Sequence, residues 1–374
     1  NNGGDALVMA RQCVCEGEHA VRVITTRAQL TENAAYQFEI LKTMGVAILV
    51  WTESEEECRA WIASANGIID GINGTGLTSP LRERERTLVD AINESAAFRI
   101  AIDIPSGMRD GGGMDDPHVQ AELTVSTGYR KRLLYAAARR TGAGRIDVVD
   151  PGFPLNIGPD TDRSIPTLLV DPDQVRRTFD AWRYRPDAYK GTRGRVLVIG
   201  GGRGTEGAAI LAGEAGLSAG VGMVRVVTTD DACVAGRTRE PAIMWSDQKP
   251  SEDDFTWADS VAVGPGWTDA TIDDLEQTVR SALAGGCGIV LDAHALRLLR
   301  GSLDRRRDKI VTDLQDATVP IVLTPHTGEM AYLADVDMAE VREKPYDLLD
   351  RVFEQLGGGE TTVIVLKSAT TIVR

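Results

Sequence analysis

The sequence predicts an α/β protein of two domains, with residues 1–160 forming a Rossmann-like three-layer α/β/α domain and residues 161–374 forming a second α/β domain. Short apolar runs alternate with helical patterns along the chain, which is typical of parallel sheets covered by helices on both faces. A chain of 374 residues is also too long for one ordinary hydrophobic core. Between the two halves, residues 151–186 contain six prolines and few long apolar periods, which indicates a linker.

The bulk composition argues against two classes of partner. A net charge of -14 leaves little room for the large basic face that nucleic-acid binding requires. No apolar run reaches the roughly 18 residues of a membrane-spanning helix. Five cysteines without a CxxC spacing indicate free thiols in a reducing compartment. We therefore expect a cytoplasmic protein that binds neither nucleic acid nor membranes, and we expect it to form a homo-oligomer.

The first half reads as alternating strands and helices. Helical patterns are predicted over residues 6–17, 31–44, 54–65 and 82–95. β-branched and apolar runs predict strands over residues 21–26, 46–51, 67–72, 98–104, 122–127 and 145–150. Residues 1–5 are predicted to be a loop that leads directly into the first helix. This order predicts an open parallel sheet.

The second half is organised around a βαβ unit over residues 195–227. RVLVIG (195–200) is a buried strand, GGGRGTEG (200–207) is a glycine turn, and a helix of small residues precedes the strand MVRVV (223–227). The helix N-terminus at such a turn is a ready anion site. Further strands are predicted over 261–266, 288–293, 321–325 and 363–367, with a helix over 270–283. The chain then ends within a strand–turn–strand.

Polar residues at the carboxyl ends of the predicted strands are the functional candidates, because open parallel sheets bind ligands there. In the first half these are Asp70, Asp103 and Ser106, and the segment 1–5 should lie beside them. Carboxylates, an amide and a hydroxyl in one crevice suit a hard cation or acid–base chemistry. The alternative is that each Asp only caps the next helix or turn.

Three motifs in the first half match a known family. NNGGDALV (1–8), DGINGTGLTSPLR (70–82) and AIDIPSG (101–107), in this order, closely resemble the epimerase domain of NAD(P)H-hydrate repair proteins. Such enzymes interconvert the R and S forms of a nicotinamide ring that is hydrated at C6. The second half resembles the partner domain of the same bifunctional chains, the ADP- or ATP-dependent NAD(P)H-hydrate dehydratase, which has a ribokinase-like fold. The matching motifs are KGTRGRVLVIGG, TEGAAILA, GPGW, LDAHAL, TPHTGEM and LKSATT.

The resemblance implies an epimerase site in residues 1–160. It assigns a potassium ion to Asn2, Asp70 and Ser106, and it places the hydrated dinucleotide near Asp103 and along two glycine-containing segments. The residues of these segments are Asn1, Asn2, Gly3, Gly4, Asp5, Gly74, Thr75, Gly76, Leu77, Thr78, Ser79 and Pro80. Glycines let backbone N–H groups approach a pyrophosphate. Either Asp103 or Asp70 could carry the proton that inversion requires.

The resemblance implies a dehydratase site in residues 161–374, with substrate near Ala208, Gly266 and His326. The nucleotide phosphates are assigned to the turn formed by Lys367, Ser368, Ala369, Thr370 and Thr371. A lone His at a strand end is more often a packed or capping residue, but the TPHTGE context favours a substrate contact. The implied reaction phosphorylates the C6 hydroxyl from ADP with Mg²⁺, after which phosphate leaves, giving NAD(P)H, AMP and phosphate.

The chain departs from the family pattern at several positions. Tyr189, Thr268, Arg297 and Ser368 stand where the family has His, Gly, Asn and Gly. In the family, the GTGD element that supplies the dehydratase base normally lies beyond the point that corresponds to Arg374, so we expect the sequence to be a fragment that lacks both ends. Alternative interpretations are a ribokinase-like small-molecule kinase fused to a Rossmann-like domain, and a nucleotide-binding module without turnover.

Overall fold

The computed structural model describes residues 2–17, 20–28, 30–113, 115–152, 169–170, 172–180, 187–303 and 309–374. The chain forms two compact units, Asn1–Leu168 and Leu169–Arg374, called here the first and the second unit. The domain boundary predicted at residue 160 lies outside the described residues and stays a prediction. Among the described residues, no helix is both long enough and apolar enough to cross a membrane.

The first unit alternates helices and strands, as predicted. Its helices are α1 (Asn2–Glu16), α2 (Glu32–Thr43), α3 (Glu55–Ala63), α4 (Glu83–Glu94) and α5 (Ala137–Arg140). Its strands are β1 (Arg22–Thr25), β2 (Ala47–Val50), β3 (Gly67–Asp70), β4 (Phe98–Ile102), β5 (Leu123–Thr127) and β6 (Arg145–Val149). A 3-10 helix, Arg132–Tyr135, precedes α5. The six strands correspond to the six predicted apolar runs, because β-branched runs between turn residues are a strong strand signal.

The strand pairs described in the first unit are parallel, as predicted, but they form two sheets where the sequence predicts one open sheet. The described strands form a two-stranded sheet, β1–β2, and a four-stranded sheet in the order β3–β4–β5–β6. A core around the fully buried Trp51 and Cys58 includes side chains from α3 and α4 and from strands of both sheets. The register pairs Asp70 with Ala101, so the carboxyl ends of β3 and β4 lie side by side.

The expectation that residues 2–5 form a loop is wrong. Helix α1 begins at Asn2, and Gly3, Gly4 and Asp5 lie within its first turn. An acidic residue in the first turn is favourable because it faces the positive end of the helix dipole. The amide side chain of Asn2 is also buried and hydrogen-bonded, which anchors the start of the helix.

The second unit contains one eight-stranded sheet. Its helices are α6 (Pro172–Asp180), α7 (Glu206–Ser218), α8 (Asp230–Arg239), α9 (Glu252–Trp257), α10 (Ile272–Ala284), α11 (His294–Leu303), α12 (Lys309–Gln315), α13 (Thr327–Ala334), α14 (Met338–Glu343) and α15 (Pro345–Gln355). Its strands are β7 (Arg195–Ile199), β8 (Met223–Val227), β9 (Met244–Ser246), β10 (Ser260–Val263), β11 (Gly288–Leu291), β12 (Ile321–Leu323), β13 (Thr362–Leu366) and β14 (Ile372–Val373).

The described strands follow the order β14–β13–β12–β11–β10–β7–β8–β9, and among them only the terminal pair β13–β14 is antiparallel. This confirms the βαβ unit of β7, α7 and β8 and the predicted strand–turn–strand at the end of the chain. The helix predicted over 270–283 is α10, which begins two residues later because Thr271 is its N-cap: the Thr271 hydroxyl accepts the Asp274 N–H, and the Asp274 side chain accepts the Thr271 N–H at 3.0 Å. Strand β9 was not predicted, since three residues are too short for a periodic signal.

Candidate functional site

The carboxylate of Asp70 is the centre of a buried polar cluster in the first unit. Asp70 is the last residue of β3 and is only 1% exposed. Its Oδ2 accepts a hydrogen bond from the Ser106 N–H at 2.7 Å, and its Oδ1 accepts one from the Ser106 hydroxyl at 2.5 Å. Oδ1 also accepts the Ile72 N–H at 3.2 Å. Burial raises the pKa of Asp70, an effect that the hydrogen bonds from Ser106 oppose.

Asn2 joins the same cluster from the start of α1. Its Nδ2 donates to the carbonyl oxygens of Ile102 at 2.7 Å and Asn73 at 2.8 Å. Because both amide hydrogens are used in this way, the orientation of Oδ1 is fixed. A Cβ at Gly74 would lie 2.6 Å from this Oδ1, so the turn after β3 needs a glycine there. The structure thus brings together Asn2, Asp70 and Ser106, the three predicted potassium ligands.

The cluster contains one carboxylate and several neutral oxygens. Its oxygen atoms are Oδ1 of Asn2, the Asp70 carboxylate, the Ser106 hydroxyl and the Asn73 carbonyl. No group of three or more His, Cys, Asp or Glu side chains that could hold a metal ion occurs among the described residues. Hard oxygen donors with a single negative charge suit a weakly bound monovalent cation better than Mg²⁺ or Ca²⁺.

The predicted substrate segments of the first unit flank this cluster. Gly74 and Leu77 are half-buried, as are Gly3 and Gly4, whereas Asp5 is exposed. The other loop residues of the prediction are exposed, namely Thr75, Gly76, Thr78, Ser79 and Pro80. Asn1 lies outside the described residues. An exposed glycine-containing loop therefore lies beside the buried polar cluster.

Asp103 makes different contacts from Asp70. It directly follows β4 and has a backbone φ of 68°, and its N–H donates to the Val125 carbonyl at 2.8 Å. Its Oδ1 accepts the Thr127 N–H at 3.2 Å and an ammonium hydrogen of Lys131. Sequence reasoning missed Lys131. The available signal was a basic side chain shortly after the end of the strand that neighbours β4.

In the second unit, two glycine turns meet at the ends of β7 and β10. The Gly201 N–H donates to the Pro265 carbonyl at 2.8 Å, and the Thr205 hydroxyl donates to the Gly266 carbonyl at 2.7 Å. A Cβ at Gly266 would lie 2.9 Å from the Cβ of Ala208. The predicted substrate residues Ala208 and Gly266 are therefore neighbours, beside the N-terminus of α7.

Lys367 lies at the end of β13, where it pairs with an aspartate that sequence reasoning missed. Its Nζ donates to Asp292 Oδ1 at 2.9 Å, and the Thr324 hydroxyl donates to the same oxygen at 2.7 Å. Asp292 directly follows β11, so three neighbouring strands contribute to this cluster. The remaining predicted phosphate residues, Ser368, Ala369, Thr370 and Thr371, form the turn between β13 and β14.

His326 has a capping role in the structure. Its Nδ1 accepts hydrogen bonds from the N–H groups of Gly328 at 2.9 Å and Glu329 at 3.1 Å, which caps α13. The Glu329 carboxylate accepts the His326 N–H at 2.8 Å, which completes a capping box. The imidazole is nevertheless 56% exposed, and His326 forms a backbone bridge with Lys367. Capping and a substrate contact through Nε2 are therefore compatible.

These features define the class of protein. Each unit is an α/β domain with polar side chains at the carboxyl ends of parallel strands, which is the arrangement of α/β enzymes that bind nucleotides. Residues 1–133 match the family described as YjeF-related protein N-terminus, and residues 196–374 match NAD(P)H-hydrate dehydratase. The chain belongs to the family of bifunctional NAD(P)H-hydrate repair enzymes, which combine epimerase and dehydratase domains. Both units are α/β domains built on parallel strands, with one antiparallel pair at the described edge of the second sheet.

Two relatives illustrate this similarity. The chain is 29% identical to the bifunctional NAD(P)H-hydrate repair enzyme Nnr of Escherichia coli, matching all of this chain and 68% of that protein. It is 30% identical to the enzyme of the same name from Coxiella burnetii, covering all of this chain and 72% of the relative. A crystal structure of the ADP/ATP-dependent NAD(P)H-hydrate dehydratase from Bacillus subtilis, co-crystallised with ATP and Mg²⁺, is 25% identical over 51% of this chain and 64% of that chain, with a TM-score of 0.41.

Proposed function

We propose that the first unit binds the hydrated dinucleotide beside a potassium ion and exchanges its R and S forms. The observation that carries this proposal is the buried cluster of Asn2, Asp70 and Ser106 at the adjacent ends of β3 and β4. These residues would hold K⁺, which supplies a fixed positive charge near the substrate phosphates. The segments 2–5 and 74–80 would contact the dinucleotide, as the family resemblance implies.

Asp103 is the proton carrier in this proposal. Exchange at C6 requires the hydroxyl to accept a proton and leave as water, while the ring nitrogen supplies an electron pair and becomes an iminium. Water then adds to the opposite face and gives up a proton. A carboxyl group can donate the first proton and accept the second. Both oxygens of Asp70 are already bound to backbone and hydroxyl groups, whereas Asp103 uses only Oδ1 in contacts with the described residues.

The second unit is proposed to dehydrate the S form. Ala208 and Gly266 would contact the substrate beside the N-terminus of α7, together with the exposed edge of His326. Lys367 and the turn to Thr371 would bind the ADP phosphates, which an ammonium group attracts as a point charge. Mg²⁺ in such sites is bound largely by substrate phosphates and water. Transfer of a phosphoryl group to the C6 hydroxyl converts it into a good leaving group.

One assay separates the two activities. The full-length protein is given a mixture of R and S NADHX with Mg²⁺ and either ADP or ATP, and formation of NADH is followed by its near-ultraviolet absorbance. We expect both epimers to be consumed by the wild type. Asp70→Ala should convert the S form and leave most of the R form. If no NADH forms with either ADP or ATP, the dehydratase proposal is contradicted. If Asp70→Ala consumes the R form as completely as the wild type does, the epimerase proposal is contradicted.

The compartment and the assembly state are also proposals. A reducing cytoplasm is supported by the five cysteines, Cys13, Cys15, Cys58, Cys233 and Cys287, all of which are unpaired thiols. Fractionation of the source cells tests the compartment. Formation of a homo-oligomer is tested by light scattering of the purified full-length protein.

A further inference from the structure

Asp103 has a left-handed backbone conformation, which is sterically unfavourable for residues other than glycine. Its φ of 68° lies in the left-handed region, which residues other than glycine adopt only infrequently. Strain of this kind persists where surrounding contacts impose it, and it often accompanies function. Here the contacts come from β5, because the Asp103 N–H donates to Val125 O and the Thr127 N–H donates to Asp103 Oδ1.

The Lys131 ammonium completes this environment. It donates to Asp103 Oδ1 and to the Thr127 carbonyl, the latter at 2.7 Å. The side chains of Lys131 and Asp103 are 21% and 15% exposed, so the ion pair is largely shielded from water. Both described hydrogen bonds to the carboxylate fall on Oδ1. Oδ2 accepts none from the part of the chain that the structure describes, so it is the oxygen available to a substrate.

We propose that Lys131 is a positioning residue for the epimerase reaction. Its ammonium holds Oδ1 of Asp103, so that Oδ2 faces the hydrated ring. This inference rests on the proposed epimerase function and adds a residue to it. Lys131 acts through Asp103 and does not itself exchange a proton with C6.

The chain offers a matched control for a merely structural ion pair. Arg99 in β4 pairs with Glu122, the residue before β5, and the Arg99 side chain is 16% exposed. This pair joins the same two strands at their amino ends, away from the strand ends that carry Asp103. If the Lys131–Asp103 pair only ties β4 to β5, loss of either pair should affect activity through stability alone.

The test measures R-to-S exchange of NADPHX by NMR in the full-length wild type and in Lys131→Met, Lys131→Arg, Asp103→Asn, the double variant Asp103→Asn/Lys131→Met and Arg99→Met. We expect Lys131→Met to lower kcat at least tenfold with little change in KM, and Lys131→Arg to recover part of the loss. Arg99→Met should lower Tm comparably while kcat is retained. In the Asp103→Asn background, removal of Lys131 should have no further effect on kcat, because positioning requires the carboxylate.

Several outcomes would overturn the proposal. Equal kcat values for Lys131→Met and Arg99→Met would make the ion pair structural, and multiplicative losses in the double variant would make Lys131 independent of Asp103. Should Lys131→Met not fold, Lys131→Gln takes its place, since it retains a hydrogen-bond donor without the charge. A wild type that does not exchange the epimers would overturn the epimerase function itself. If the wild type is active and substitution of Lys131 leaves kcat unchanged, only this inference is overturned.

Discussion

The hydroxyl of Ser106 donates a 2.5 Å hydrogen bond to Oδ1 of Asp70, a residue 36 positions earlier in the chain. The Ser106 N–H donates to the other carboxylate oxygen at 2.7 Å. Both residues are fully or almost fully buried. A carboxylate removed from water in this way is costly unless further positive charge is nearby. The pair therefore forms a preorganised anionic site that a bound cation would stabilise.

Potassium should stabilise the first unit through this site. K⁺ present at about one hundred times its Kd would raise the free energy of unfolding by about 2.7 kcal/mol, because it binds the folded state only. Thermal unfolding in KCl and in a salt of a large organic cation at equal ionic strength measures this effect. Asp70→Asn should remove most of the difference between the two salts.

Asp254 provides the control for this experiment. It accepts hydrogen bonds from the Ser251 N–H at 2.8 Å and the Ser251 hydroxyl at 2.9 Å, so it is also an aspartate held by a serine N–H and hydroxyl, although both bonds fall on Oδ2. Asp254→Asn should lower Tm without changing the response to K⁺. If Asp70→Asn and the wild type respond alike to K⁺, the cluster is not the potassium site.

Much of this architecture could be predicted from the sequence. Asp70 and Ser106 follow apolar β-branched runs, and parallel strands bring their carboxyl ends to one edge, so their proximity follows from periodicity and topology. The meeting of Ala208 and Gly266 follows for the same reason. The start of α1 was mispredicted because Asn and Gly favour loops locally, whereas the tertiary contacts of the Asn2 amide fix the helix start here.

Partners that depend on side-chain direction could not be predicted. Lys131 and Asp292 each contact a predicted site residue from another strand end, and their ion pairs depend on rotamers that a linear sequence does not encode. The capping role of His326 has a local signal, because Glu329 stands three residues later in the pattern of a capping box. That signal does not reveal that most of the ring is exposed.

His118 should make the first unit less stable in mild acid. Burial lowers the pKa of His118, and the positive charge of the nearby Arg139 guanidinium lowers it further. The hydrogen bond between the imidazole and the Asp116 carbonyl raises this pKa and so opposes both effects. The unfolded chain then binds more protons than the folded chain as pH falls below about 6.5, so stability is present above that pH and is lost below it. Thermal unfolding across this range measures the loss, and His118→Gln should flatten it. A steeper dependence in the variant would contradict this assignment.

Two substitutions separate the capping role of His326 from its proposed contact with the substrate. His326→Ala removes the acceptor for the Gly328 and Glu329 N–H groups and should cost about 1 kcal/mol of stability. His326→Asn should retain most of the stability, because Asn is a good N-cap residue. Both variants should lose dehydratase activity if the ring contacts substrate. Full activity in His326→Asn would restrict the residue to capping.

Lys367 should contribute directly to the affinity for ADP. In the structure its ammonium pairs with Asp292 at 2.9 Å while remaining 45% exposed, so it can be shared with an incoming phosphate. A hydrogen bond to a charged group contributes about 1.5–3 kcal/mol, so Lys367→Met should weaken ADP binding on the order of tenfold to a hundredfold, as measured by calorimetry on the full-length protein. Lys249→Met is the matched control, because Lys249 pairs with Asp274 at 3.3 Å and is 91% exposed. An equal affinity for ADP in the two variants would place the nucleotide phosphates elsewhere in the second unit.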